Sequence, residues 1–135
     1  MMKKLLGILL IISLFLSGCC EERNAYKQFN LGVMYDQGKG VEQDYKQAVY
    51  WYKKSAEQGY ANAQYNLGVR YYNGDGVTRD IVKSYMWVSI SAYSGHLQAS
   101  KGKDLISKKM TSEQITQAQG MARKWVEKFE KRKKE

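Results

Sequence analysis

The segment LGVMYDQGKGVEQD, Leu31 to Asp44, returns 36 residues later as LGVRYYNGDGVTRD, Leu67 to Asp80. The register continues without a gap, so that Trp51, Ser55, Ala56 and Gly59 recur as Trp87, Ser91, Ala92 and Gly95. Ordered identity at a fixed period is the mark of stacked supersecondary units. The closely spaced Gly38 and Gly40 also invite comparison with a phosphate-cradling loop. Such a loop needs a strand before it and either a third glycine or a Gly-Lys-Ser/Thr ending. Here Val41 follows Gly40, so the glycines read as punctuation between helices.

Each unit reads as two helices, about 25–37 then 45–58, and again 61–73 then 81–94. Tyr45, Ala48, Val49, Tyr52 and Ala56 fall at helical spacings, which predicts one buried side. Asp44 and Asp80 stand where a carboxylate can cap a helix N-terminus. Gly59 and Gly95 stand where a helix stops in a left-handed residue. Gly32 and Gly68 sit inside helices, where glycine costs about 1 kcal/mol relative to alanine. Their recurrence predicts a neighbouring helix crossing too closely for a side chain. Tyr35, Tyr71, Trp51 and Trp87 are expected in the core around those crossings.

At 135 residues the chain has room for one small domain. Lys3 and Lys4 precede an apolar run, Leu5 to Leu16, too short to span a bilayer but suited to a secretory signal. Leu16-Ser17-Gly18-Cys19 then resembles the bacterial lipobox, which implies cleavage before Cys19 and its acylation. Two or more acyl chains, at about 0.8 kcal/mol per buried methylene, make a lasting anchor. Position 20 is Cys rather than Asp, which implies the outer membrane in a double-membraned host, and otherwise the cell membrane. The expected layout is a signal peptide 1–18, a tether 19–24, repeats 25–60 and 61–96, a degenerate repeat with capping helix 97–129, and a basic tail 130–135.

Charge is uneven. Lys and Arg outnumber Asp and Glu by 9 to 8 from Cys19 to His96, but by 11 to 5 from Leu97 onward. An exported, tethered chain rarely meets nucleic acid, so acidic protein surfaces or anionic headgroups are the expected counterparts. A solvated helix face would carry the same charges.

The combination of LG-x-x-Y, a G-x-GV turn, Asp, WY-x-K-S-A and a closing Gly is similar to the Sel1-like repeat, a relative of the tetratricopeptide repeat. The second unit departs at Ser84 and Val88, where the pattern has Ala and Tyr. The resemblance implies an all-α, right-handed α/α superhelical array: two helix hairpins, a degenerate third first-helix over Leu97–Met110, and a capping helix. It implies a protein-binding module without cofactor or small-molecule substrate. Narrower versions are an immunity protein against a secreted phospholipase-type toxin, or an envelope scaffold or regulator.

Chemistry is sparse. His96 has no partner at metal-site spacing. Ser100-Lys101-Gly102-Lys103 satisfies S-x-x-K, but no S-D-N or K-T-G accompanies it. Some relatives are linked to β-lactams, though those are rich in disulfides and this chain has only Cys19 and Cys20. A hydrolase or β-lactam-binding protein is therefore the weakest alternative. In arrays of this class the first helices line the concave side. The stripe beside the core positions holds Tyr26, Phe29 and Val33, with Asp36, then Tyr65, Val69 and Tyr72, and finally Lys101, Leu105 and Lys108. Such a groove runs from aromatic to basic and would suit an acidic-apolar protein segment.

Overall fold

The computed structural model describes residues 23–135, so the proposed signal sequence, Cys19 and Cys20 lie outside the described residues. Among the described residues there are six helices and no strand: α1 (23–37), α2 (Tyr45–Glu57), α3 (Ala61–Asn73), α4 (Ile81–Tyr93), α5 (Ala99–Ser107) and α6 (Ser112–Lys134). They form an α/α repeat superhelix. None of the described helices is long and apolar enough to cross a membrane.

The repeated residues do repeated jobs. Asp44 accepts from the backbone N–H of Lys46 and Gln47, and Asp80 from that of Lys83, at 2.9–3.1 Å. Each capping aspartate also donates its own N–H back across the turn, to the Tyr35 and Tyr71 carbonyls at 2.9 Å. Ser55 donates to the Ala25 carbonyl at 2.7 Å, and Ser91 to the Ala61 carbonyl at 2.8 Å, each reaching 30 residues back. Those buried hydroxyls tie the second helix of each unit to the start of the first. The glycine crossings are equally regular. A Cβ on Gly32 would come within 2.6 Å of the Tyr52 ring, and one on Gly68 within 2.6 Å of Val88 Cγ2. Val88 therefore fills the notch that Tyr52 fills one unit earlier.

The main core joins both units through Ala48, Tyr52, Ala56, Ala63, Leu67, Met86, Trp87 and Ile90, with Ala122 from α6. Helix α4 packs against α3, α5 and α6 and is buried nearly all round, which accounts for its small and apolar Ser84, Val88 and Ser91. A second cluster, with Tyr85, Val88, Ala99, Ile106 and Ala118 buried, joins α4 to α5 and α6.

Several expectations are corrected. Tyr45 is 40% exposed rather than buried, because its ring lies beside the Arg70 guanidinium at the surface. Trp87 is buried, but Trp51 is only half-buried and stands outside both clusters. The difference lies in α6, whose Trp125 meets Trp87 edge-on at 5.6 Å, whereas Trp51 meets Tyr50 on its own helix. The third first-helix is nine residues, Ala99–Ser107, not Leu97–Met110. Helix α6 starts at a Thr111–Gln114 capping box and stays helical through Lys134, taking in most of the stretch set apart as a basic tail. It also does more than cover the last unit. Phe129 occupies the space beside Gly59, and Arg132 reaches toward the Glu57 carbonyl at 3.5 Å, so α6 clamps the end of α2 in the first unit.

An ion pair crosses the repeat boundary. Arg70 on α3 contacts Asp36 of α1 at 3.0 Å and Asp75 at 3.2 Å, and Tyr52 donates to the same Asp36 oxygen at 3.1 Å. Burial, reinforced by the Asp36 carboxylate, pushes the Tyr52 phenol up to about 12. The Arg70 and Asp36 side chains are only 17% and 15% exposed, which places the pair between surface bridges of about 0–1 kcal/mol and buried ones of about 3–5. Asp36→Ala should therefore lower stability by about 2 kcal/mol in urea melts, since it leaves Arg70 with the more exposed Asp75 alone and removes the Tyr52 acceptor. A loss below about 0.5 kcal/mol would show that solvent already screens the pair.

Candidate functional site

The first helices present their outer faces on one side, and only part of the anticipated stripe is free there. In the first unit the aromatics are engaged by their own repeat. Phe29 packs on Tyr60 at 5.2 Å and on Tyr52 at 5.8 Å, and Val33 packs against the main core. Tyr26 is 52% exposed and leans edge-on against Tyr60 at 6.2 Å. Asp36, at the position matching Tyr72, is held by Arg70 and Tyr52. The spacing located these residues on one helix, but not the rings from the neighbouring helices that engage them.

In the second unit the stripe opens. Tyr65, Val69 and Tyr72 on α3 face Gly102, Leu105 and Ile106 on α5, with Val88 of α4 as the floor, around a recess of about 200 Å³. Gly102 keeps it open: a Cβ there would stand 3.2 Å from the Tyr65 ring and 3.5 Å from Val88 Cγ1. Leu105, at the position matching Val69, is 63% exposed on the rim. Ligand sites for small molecules usually measure about 300–1,000 Å³, so this recess is sized for no more than one large side chain.

Two of the walls are stiffened by stacking. Tyr65 lies flat on His96, with ring centroids 4.4 Å apart and planes 9° apart, the counterpart of the Phe29–Tyr60 pair one repeat earlier. Burial holds the His96 imidazole below its ordinary value, so the stack involves a neutral ring at neutral pH. Tyr72 has Arg79 at 5.7 Å and Lys109 at 5.5 Å over its ring. Arg79 also donates to the Tyr72 carbonyl at 3.0 Å, repeating the bond from Gln43 to the Asp36 carbonyl.

The basic rim thus differs from the anticipated one. Lys101 and Lys108 are exposed on or just after α5 but do not line the recess, whereas Arg79 and Lys109 hold its Tyr72 end. Arg79 was legible in principle, as the basic residue that replaces Gln43 at the equivalent position. Lys109 was not, because it depends on where α5 ends.

Nothing comparable assembles around the S-x-x-K stretch. Ser100 is exposed in the first turn of α5, and no hydrogen bond joins it to Lys103. Among the described residues no group of three His, Cys, Asp or Glu side chains is placed to hold a metal.

The Sel1 repeat family matches residues 28–60 and 61–96. No curated protein matches. Among solved structures, the chain is similar to a protective antigen present in uropathogenic Escherichia coli strains that displays an SLR fold, at 39% identity and a TM-score of 0.73 over 78% of this chain and 23% of that one. It is also similar to a Sel1 repeat protein from Oxalobacter formigenes, at 31% identity and a TM-score of 0.62 over 76% of this chain and 44% of that one. The chain thus spans less than half the length of either structure.

Proposed function

The chain belongs to the Sel1 repeat family, whose members are generally protein–protein interaction modules, and from that premise we propose that it is a non-catalytic, membrane-tethered adaptor of the cell envelope. Acylated Cys19 supplies the tether, with the outer membrane as its destination in a double-membraned host. The recess between α3 and α5 takes one large apolar side chain of a protein partner, and acidic residues flanking that side chain pair with the surrounding cations.

The observation that supports this reading is the convergence of Tyr65, Val69, Tyr72 and Leu105 on an opening that Gly102 leaves unfilled. Apolar side chains around a pocket form the kind of centre from which interfaces draw most of their binding energy, and charged rims steer the encounter. Arg79 and Lys109, both over the Tyr72 ring, supply that rim.

The test uses the anchored full chain in nanodiscs to capture its partner from solubilised envelope. Gly102→Leu should fill the recess, and Val69→Asp should charge it. Each is expected to weaken capture by tenfold or more, about 1.4 kcal/mol, without changing helicity. Tyr50→Ser, on the far helix α2, should capture as well as wild type. Equal capture by all three would place the binding surface elsewhere.

A further inference from the structure

We infer that the end of the stack where α1 and α3 begin and α2, α4 and α6 finish is a bilayer-docking surface that recognises anionic lipid headgroups. The inference rests on the tether reading in one respect: it takes Cys19 as the lipid attachment point. Three residues lie between Cys19 and Arg23, at the start of the described part of α1, so four Cα–Cα steps join them. A fully extended chain of that length reaches about 14 Å, so this end of the stack is held close to the bilayer whatever path the tether takes.

Two independent features of that end suit a headgroup layer. The first is charge. A broad cleft of about 1020 Å³ there is lined by Ala25 of α1, Tyr93 of α4 and, from α6, Phe129, Arg132 and Lys133, with Glu130 the one acidic residue among them, accepting from Tyr93 at 3.5 Å. The last turn of α6 carries Lys131, Arg132, Lys133 and Lys134, and Arg132 and Lys133 lie over the Phe129 ring at 5.8 and 5.2 Å. Phe129 beside Gly59 brings these cations to the end where α1 begins. Basic residues near an anionic membrane surface each add to binding, and the effect fades within a Debye length.

The second feature is greasiness without cover. Leu97, in the turn between α4 and α5, is 96% exposed, Tyr93 at the end of α4 is 61% exposed, and Tyr26 in the first turns of α1 is 52% exposed. Tyrosine is favoured at membrane–water boundaries, where its ring sits at headgroup depth. Leu97, bare at the same end of the stack as the Tyr93 and Tyr26 rings and the α6 cations, fits the layered chemistry of a lipid interface.

The geometry also says what stays away. Helices α2, α3 and α4 are each 13 residues, roughly 20 Å long, so the glycine turns at 38–40 and 74–76 stand about that far from the docked end.

Full-length lipidated protein is placed in nanodiscs of phosphatidylcholine alone or mixed with phosphatidylglycerol, and amide hydrogen exchange is followed. Segments 93–98 and 128–134 should exchange several-fold more slowly on the anionic discs, while the two glycine turns do not change. Lys131→Gln, Lys133→Gln and Lys134→Gln together should erase the lipid dependence, and Leu97→Ser should reduce protection; all these side chains are exposed, so the fold is kept. Equal exchange on both discs, with Cys19 acylated by mass, overturns the inference but leaves the anchor. Loss of the chain from the discs with Cys19 unmodified overturns both. Protection seen only in native membranes assigns the surface to an acidic protein and also overturns it.

Discussion

Gly76→Ala should destabilise the chain by about 3 kcal/mol or more, while Gly40→Ala, at the matching position one repeat earlier, should cost about 1 kcal/mol. Both glycines have positive φ, 71° and 73°, so each pays the same backbone penalty for gaining a side chain. Their surroundings differ. A Cβ on Gly40 would meet only Met34 Cε, at 3.6 Å, an ordinary contact. A Cβ on Gly76 would run into the backbone carbonyl of Tyr45 and stand 2.8 Å from the Lys46 nitrogen. A flexible side chain can move aside; the first turn of α2 cannot without parting the two repeats. Urea melts of the two variants give the comparison, and equal costs would mean that the second turn does not rest on the first unit.

Trp125→Ala should cost about 3 kcal/mol, at the low end for an aromatic truncation because the ring is only half-buried. Trp125 meets Trp87 at 5.6 Å and stacks on Phe129 at 4.9 Å, so its loss uncovers the one and unseats the other. With Phe129 released, α6 loses its grip beside Gly59, and the first unit loses its clamp. Fluorescence separates this from general loosening. Trp87 emission should shift to the red while Trp51, which faces Tyr50 outside the core, reports no change. An unshifted spectrum with unchanged stability would show that α6 is ornamental.

The repeat was legible because each recurring residue performs a local task. Asp44 and Asp80 cap, Gly32 and Gly68 make room, and the 36-residue period carries those tasks forward together. What the sequence concealed depends on single contacts between distant segments. The stripe Ile115, Ala118, Ala122, Trp125, Phe129 announces a buried face but not that its last ring lies beside Gly59. Trp51 and Trp87 are identical in pattern, and only the reach of α6 makes them differ in burial.

The recess was half visible for a similar reason. Tyr65, Val69 and Tyr72 share a helix face by spacing alone. That Phe29 and Val33 are consumed by packing follows from Tyr52 and Tyr60, which approach from other helices. The substitution of Lys109 for Lys108 at the rim follows from a nine-residue helix, too short for periodicity to fix its phase.

Where a partner sits on this surface can be asked directly with light. A photo-activated cross-linking residue is placed at position 105, on the rim of the recess, or at position 50, on exposed α2, and the chain is irradiated in intact cells. A discrete adduct from position 105 that vanishes when Gly102→Leu is added, with none from position 50, is the predicted result. Adducts from position 50 alone, or adducts at 105 indifferent to Gly102→Leu, would contradict it.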